Sequence, residues 1–186
     1  MWVKVTCLSV LPLSLIAAGL VWHYKVRLYH FLIVERGVLY RSGWMRPDRE
    51  KRIIAKYGIR TVVNLCIPTE RAYRKNYTDE QRICRENAAT LVNLPLLGNT
   101  PPSKEQVAQW LRLLSEYENL PILIHCDQGV IRTGIMVAIY QMEFLHQENE
   151  MVFNELPAFG HDLYVPKREV MRDFILNYKP LRKADQ

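Results

Sequence analysis

The stretch that decides the fold is Pro121-Ile-Leu-Ile-His125-Cys126-Asp127-Gln128-Gly129-Val130-Ile131-Arg132-Thr133-Gly134. Its first part is a short, β-branched apolar run of the kind found in buried parallel strands. Its last part opens a mostly apolar helix read over 133–147, TGIMVAIYQMEFLHQ. A strand feeding a helix through a short polar turn is the unit of an α/β sheet, and open sheets of this kind place ligand sites at the carboxyl ends of their strands.

Working outward, the same alternation continues on both sides. Gly37-Val-Leu-Tyr-Arg41 reads as a strand, Pro47 followed by Asp-Arg-Glu opens a helix that stops at Gly58, and Ile59 to Leu65 reads as a second buried strand. Thr78-x-x-Gln81 and Ser103-x-x-Gln106 each match a capping box and predict helix starts, with a strand, Thr90 to Leu94, between them. Pro166 fits the first turn of a last helix through Tyr178. The pattern predicts an α/β domain with a central, mostly parallel sheet flanked by helices on both faces.

The chemistry of the turn follows from its position. A helix N-terminus offers unpaired N–H groups and the positive end of a dipole, so a cysteine there is favoured as the nucleophilic thiolate. The loop from Cys126 to Arg132 can curl so that its amides and the guanidinium face one point, which suits a tetrahedral oxyanion. Gly129 permits a backbone conformation that a side chain would block. Thr133 is positioned to set its hydroxyl against the sulfur, and His125 to orient the loop and tune the thiolate, with an ordinary strand-end histidine as the alternative. A lone buried structural cysteine is the competing reading of Cys126. It loses to the coincidence of His125, Cys126, Gly129, Arg132, Thr133 and Gly134 in one strand-turn-helix context.

His-Cys-x-x-Gly-x-x-Arg-Thr-Gly resembles the signature of the cysteine-based protein tyrosine phosphatases, and the compact size resembles their dual-specificity branch. Val38-Leu-Tyr-Arg-Ser42, Tyr57 to Leu65, Leu94-Pro-Leu96 and Pro101-Pro-Ser103 are similar to segments of bacterial dual-specificity-like phosphatases. The resemblance implies a phosphocysteine intermediate on Cys126, a phosphate clamp in Arg132, and phosphate binding by the loop Asp127, Gln128, Gly129, Val130, Ile131 and Arg132. It implies no metal or cofactor.

One departure stands out. The family's general-acid aspartate is expected on the loop after the strand Thr90–Leu94, and Leu94-Pro-Leu-Leu-Gly-Asn-Thr-Pro-Pro-Ser103 contains no acid. Expulsion of the leaving group without a proton donor is slower by roughly 10²–10⁴-fold. Asp127 within the loop, Asp162 and Glu105 are the substitutes, alongside the absence of any dedicated acid. The loop adds no lysine of the kind that holds polyanionic headgroups, which favours a phosphotyrosine protein or a small phosphomonoester as substrate. Arg41 and Ser42 read as structural. Cys66 reads as a buried inert thiol or as a partner for reversible oxidation with Cys126.

The remainder of the 186-residue chain is bounded by composition: 49% hydrophobic and 24% charged residues exclude disorder. A net charge of +6 without a Lys/Arg run speaks against a nucleic-acid partner. Val5 to Trp22 runs 18 residues without a charge. As a helix it reaches roughly 27 Å, close to the thickness of a hydrocarbon core. The expectation is a single-pass membrane anchor over 1–27 and a phosphatase domain over 28–186. A cleaved signal peptide is the alternative, and the charge bias leans towards a cytoplasmic domain. The His23/His30 and Tyr24/Tyr29 cluster is assigned to the membrane interface. A tethered phosphoprotein-binding module is the rival to an enzyme. A rhodanese-like sulfurtransferase fits the Arg-Thr-Gly ending poorly.

Overall fold

The computed structural model describes residues 29–156 and 168–181. The apolar segment Val5–Trp22, Asp162 and Pro166 lie outside these residues, so the anchor and that acid are read from sequence alone, while the last helix, expected from Pro166 to Tyr178, is described over Glu169–Leu176. Among the described residues no helix is long and apolar enough to cross a membrane.

The sheet has the order β1-β2-β5-β3-β4, with β1 Leu32–Glu35, β2 Leu39–Gly43, β3 Thr61–Asn64, β4 Thr90–Asn93 and β5 Ile122–Cys126. The strands β2, β5, β3 and β4 are parallel, whereas β1 pairs antiparallel with β2 and makes the sheet mixed. Leu32-Ile-Val-Glu35 is a half-buried edge strand without period-2 alternation, so it carries no strand signal of its own. The partners Ser42↔His125, Gly43↔Cys126 and Asn64↔His125 place the cysteine at the carboxyl end of the central strand.

Alternation along the strands builds two cores. Leu39, Val63, Ile122 and Ile124 face one side, under α3 Lys104–Ser115, α4 Ile131–Phe144, α5 Asn149–Glu155 and α6 Glu169–Leu176. Tyr40, Val62 and Leu123 face the other, under α1 Pro47–Tyr57 and α2 Arg71–Glu86. α1 begins with Pro47 at its first turn, and Gly58 closes it at φ 60°, its N–H donating to the Ile54 carbonyl. α3 carries the expected capping box, with Gln106 N–H donating to Ser103 Oγ and Ser103 N–H to Gln106 Oε1.

The other capping box is corrected. α2 starts at Arg71, seven residues before Thr78, after an extended Glu70 that provides no side-chain cap. Tyr73, Tyr77, Glu80 and Cys84 recur at the helical period and lie on its inner face, so packing of that face fixes the helix and Thr78 falls in its interior. α4 runs Ile131–Phe144 rather than 133–147, because its first turn grows directly from the Cys126 loop. α5 was not legible as a separate element.

Trp110 is fully buried between α3 and α4, and its indole N–H donates to the Met136 carbonyl at 2.9 Å. Trp110→Ala is expected to cost about 3–5 kcal/mol in denaturant unfolding.

Candidate active site

The loop after β5 is pinned from outside at each of its carbonyl groups. The Trp44 amide donates to the Asp127 carbonyl at 2.9 Å, and His30 Nδ1 lies 2.7 Å from the Gln128 carbonyl. Arg41 Nη2 donates to the Gly129 carbonyl at 2.8 Å and reaches the Val130 carbonyl at 3.4 Å, while Gly134 N–H also serves Val130. With its carbonyls engaged outward, the loop keeps its amides for an anion at the centre. One amide is already engaged: Gly129 N–H donates to Cys126 Sγ at 3.2 Å.

One sequence assignment becomes specific here and another changes. Arg41 is structural as expected, but its role is specific: a guanidinium only 1% exposed ties β2 to the loop. Tyr29 and His30, assigned to a membrane interface, instead sit on this loop. The Tyr29 carbonyl accepts from Gly43 N–H, and its ring stacks on His30.

Cys126, Asp127, Gln128, Ile131 and Arg132 line one cleft of about 310 Å³, joined by Glu70, Arg71, Ala72 and Gly98. Gly129, Val130, His125 and Thr133 do not line it. Arg132 Nη1 donates to Glu70 Oε1 at 2.7 Å and reaches the Leu65 and Leu96 carbonyls at 3.3 and 3.4 Å. Burial works against the guanidinium's charge, but Cys126, Cys66 and Glu70 around it outweigh burial and hold it firmly protonated. A thiol and a clamped guanidinium at the base of one cleft are suited to a tetrahedral oxyanion.

The remaining expected residues are distributed unevenly. The Thr133 hydroxyl is buried and makes no hydrogen bond to the described residues, so it is not on the sulfur. Glu105 lies outside the cleft, exposed, and its carboxyl is held low by the Ser103 hydroxyl 2.7 Å away. Asp127 is the expected acid that does line the cleft. Cys66 is 1% exposed, and burial, with smaller contributions from Cys126 and Glu70, pushes its thiol far above the ordinary range.

Sequence reasoning missed Glu70, Glu80 and Glu50. Glu80 Oε1 lies 2.8 Å from His125 Nε2, and Glu80 Oε2 accepts from Asn64 Nδ2 at 2.6 Å. The Asn64 Oδ1 accepts the Cys66 N–H at 2.8 Å. Glu50 lies against Glu80; burial and that neighbouring charge push it up to about 8. Burial disfavours a charged His125, but Glu80 overcomes it and raises the imidazole above its usual value. The available signal was a carboxylate on an apolar helix face: Glu50 precedes Ile53 and Ile54 by three and four residues, and Glu80 precedes Ile83 and Cys84 likewise.

Beside this site lies a wider cleft of about 770 Å³. Arg46, Arg49, Arg52 and Lys75 line it with Asp48 and Asp79, and Trp44 forms part of its wall. Its position links it to the Cys126 loop, because Trp44 also holds the Asp127 carbonyl.

Two outcomes test this geometry. Gly129 has φ +69°, and a Cβ there would overlap the backbone of Ser42 and Gly43. Gly129→Ala is therefore expected to lose about 1–3 kcal/mol in denaturant unfolding and to displace the loop, with loss of turnover on p-nitrophenyl phosphate. Glu50 and His125 both hold protons in the folded state that the unfolded chain releases at lower pH. Their stabilisation is complete at acid pH and fades as pH rises, for Glu50 between its unfolded value of 4.5 and about 8. Thermal unfolding should show stability falling by up to about 1.4 kcal/mol per pH unit per proton in that window, and Glu50→Gln should flatten the decline.

Comparison with known proteins agrees with this geometry. The family described as DSP-PTPase phosphatase fused to NAD+ kinase matches residues 39–167. The inositol diphosphatase DSP3 of Arabidopsis thaliana is 32% identical over 113 residues, covering 58% of this chain and 51% of that protein. The chain thus spans about half the length of the curated relatives it matches most extensively. Among solved structures, the catalytic domain of the PP-IP phosphatase SIW14 from S. cerevisiae superposes with a TM-score of 0.63 at 22% identity, covering 80% of this chain and 85% of that one. TpbA from P. aeruginosa superposes with a TM-score of 0.57 at 20% identity, covering 75% and 84%. The match over 39–167 spans well over half of the chain and contains the whole Cys126–Arg132 loop, and by it the chain belongs to the DSP-PTPase family of phosphatases.

Proposed function

We propose that the chain hydrolyses phosphate monoesters through a phosphocysteine intermediate on Cys126. The observation that carries this reading is the Cys126 sulfur at the end of the central strand, receiving the Gly129 amide at 3.2 Å in the same cleft as Arg132. The thiolate attacks phosphorus, an S–P bond forms, and the P–O bond to the leaving group breaks, its oxygen taking a proton. Water then cleaves the S–P bond, releases phosphate and restores the thiolate. Arg132 and the free amides of the loop hold the equatorial oxygens as charge builds on them. Asp127 is the proposed proton donor, because it lines the cleft. His125 and the helix beginning at Ile131 sustain the thiolate, and Thr133 packs in the interior beneath the loop.

The substrate on this reading is a phosphotyrosine or dual-specificity protein target. A second reading, a polyanionic phosphate ester, is favoured by the basic cleft of Arg46, Arg49, Arg52 and Lys75 beside the site. The lysine that the loop lacks is matched there by basic side chains at the start of α1 and on α1 and α2, and the curated relative DSP3 is named an inositol diphosphatase. Residues 28–186 form the catalytic domain, and the apolar segment Val5–Trp22 carries it to a membrane with the domain on the cytoplasmic side.

The test is phosphate release by the full chain in detergent from p-nitrophenyl phosphate, a phosphotyrosine peptide and a diphosphoinositol polyphosphate. Cys126→Ser and Arg132→Lys are expected to lose at least about 10²–10³-fold in kcat, and Asp127→Asn to lose the most with the poorest leaving groups. Activity should sediment with membranes. If Arg46→Glu with Lys75→Glu lowers kcat/KM only for the inositol substrate, the polyanion reading prevails. Peptide binding without any phosphate release would replace the enzyme with a phosphoprotein-binding module.

A further inference from the structure

We infer that Glu80 is a positioning residue for the chemistry at Cys126: from α2 its carboxylate holds the His125 imidazole as a cation beside the nucleophile, and Glu50 of α1 carries the proton that lets two carboxyl groups share this interior. The inference rests on the reading of Cys126 as the nucleophile.

Glu80 is 0% exposed and Glu50 3%, and both sit among Ile53, Ile54 and Ile83 where an apolar side chain would fill the space. Burying carboxylates costs several kcal/mol per charge unless they are paired and hydrogen-bonded. A core selected for stability alone would not need them. Glu80 has a partner at each oxygen: Oε1 lies at ion-pair distance from His125 Nε2, 2.8 Å, and Oε2 accepts a hydrogen bond from Asn64 Nδ2 at 2.6 Å. Trp44 packs on the ring of His125 at a tilt of 59°, with centroids 5.2 Å apart. An indole face is a favourable neighbour for an imidazolium. The same Trp44 holds the Asp127 carbonyl, so one residue touches both the imidazole and the loop.

The charges sum to a consistent state. A carboxylate on Glu80, an imidazolium at His125 and a neutral Glu50 bring no net charge into the interior. The Glu80–His125 pair is then a fixed dipole, and its positive end lies against the Cys126 backbone. Around the carboxyl groups stand Asp79, Cys84 and Tyr73, none of them cationic. Around the sulfur stand Arg132, Cys66 and Tyr29, and Arg132 is engaged by Glu70 at 2.7 Å. With that guanidinium shared, the imidazolium behind the loop is a second source of positive potential for the thiolate, present before substrate arrives.

The experiment measures the pH at which Cys126 of the full chain in detergent is half-maximally alkylated by iodoacetamide, read by peptide mass spectrometry. It needs no turnover, so it is decided separately from the hydrolysis assay. Glu80→Gln is expected to move the midpoint up by about one pH unit, roughly a tenfold loss of thiolate at lower pH. His125→Asn should produce the same shift, and the double variant should add nothing further. kcat/KM of Glu80→Gln should approach the unaltered chain's at alkaline pH, where every Cys126 is ionised. A folded Glu80→Gln variant with an unmoved midpoint overturns the inference. If that variant does not fold, the ¹⁵N resonances of His125 in the unaltered chain decide at pH 7. A ring with both nitrogens protonated supports the inference, and a neutral ring overturns it.

Discussion

A short loop can present its amides inward only if its carbonyls find donors elsewhere, and this demand organises the structure around Cys126. The donors come from the segments that pass closest: Trp44 and His30 for Asp127 and Gln128, and Arg41 for Gly129 and Val130. Arg41 can serve only because β2 lies beside β5 in parallel register, with Gly43 opposite Cys126. Gly129 must be glycine because β2 comes so close. Sheet order, loop shape and the placement of the sulfur are therefore one arrangement rather than three.

Beneath the loop a second, buried polar layer joins α1, α2, β3 and β5 through Glu50, Glu80, Asn64 and His125. Asn64 connects it to the far side of the site: its carbonyl oxygen caps the Cys66 amide, and the segment that follows provides the Leu65 carbonyl and Glu70 for Arg132. The thiol and the guanidinium are thus oriented by neighbouring parts of one hydrogen-bonded framework. Such a layer carries a penalty in stability that apolar side chains would avoid, and active sites are where penalties of this kind are tolerated.

The electrostatics of the entrance differ from those of the loop. The loop brings Asp127, Gln128, Val130 and Ile131 and only one cation, Arg132, whereas Arg46 just before α1, Arg49 and Arg52 of α1 and Lys75 of α2 line the adjoining cleft with Asp48 and Asp79. The charge of the adjoining cleft is thus set by residues outside the Cys126 loop.

Much was legible in the sequence because it rests on local patterns. The apolar strand before Cys126, the spacing from Cys126 to Arg132, the Ser103 capping box and the glycine at 129 each express a constraint acting within a few residues. The edge strand β1, the start of α2 at Arg71 and the burial of Glu50 and Glu80 were not legible in that way. β1 forms only because β2 offers it an edge, α2 begins where its aromatic face meets the sheet, and two glutamates on helix faces look solvated until they are seen against each other with His125 beside Glu80. By itself the sequence determined the α/β class and the Cys126–Arg132 loop between the central strand and its helix, since these depend on residues adjacent in the chain. Only the tertiary structure decided what holds the loop and which buried groups lie behind it, because those partners are brought together by strand order across roughly 40 to 100 residues of chain.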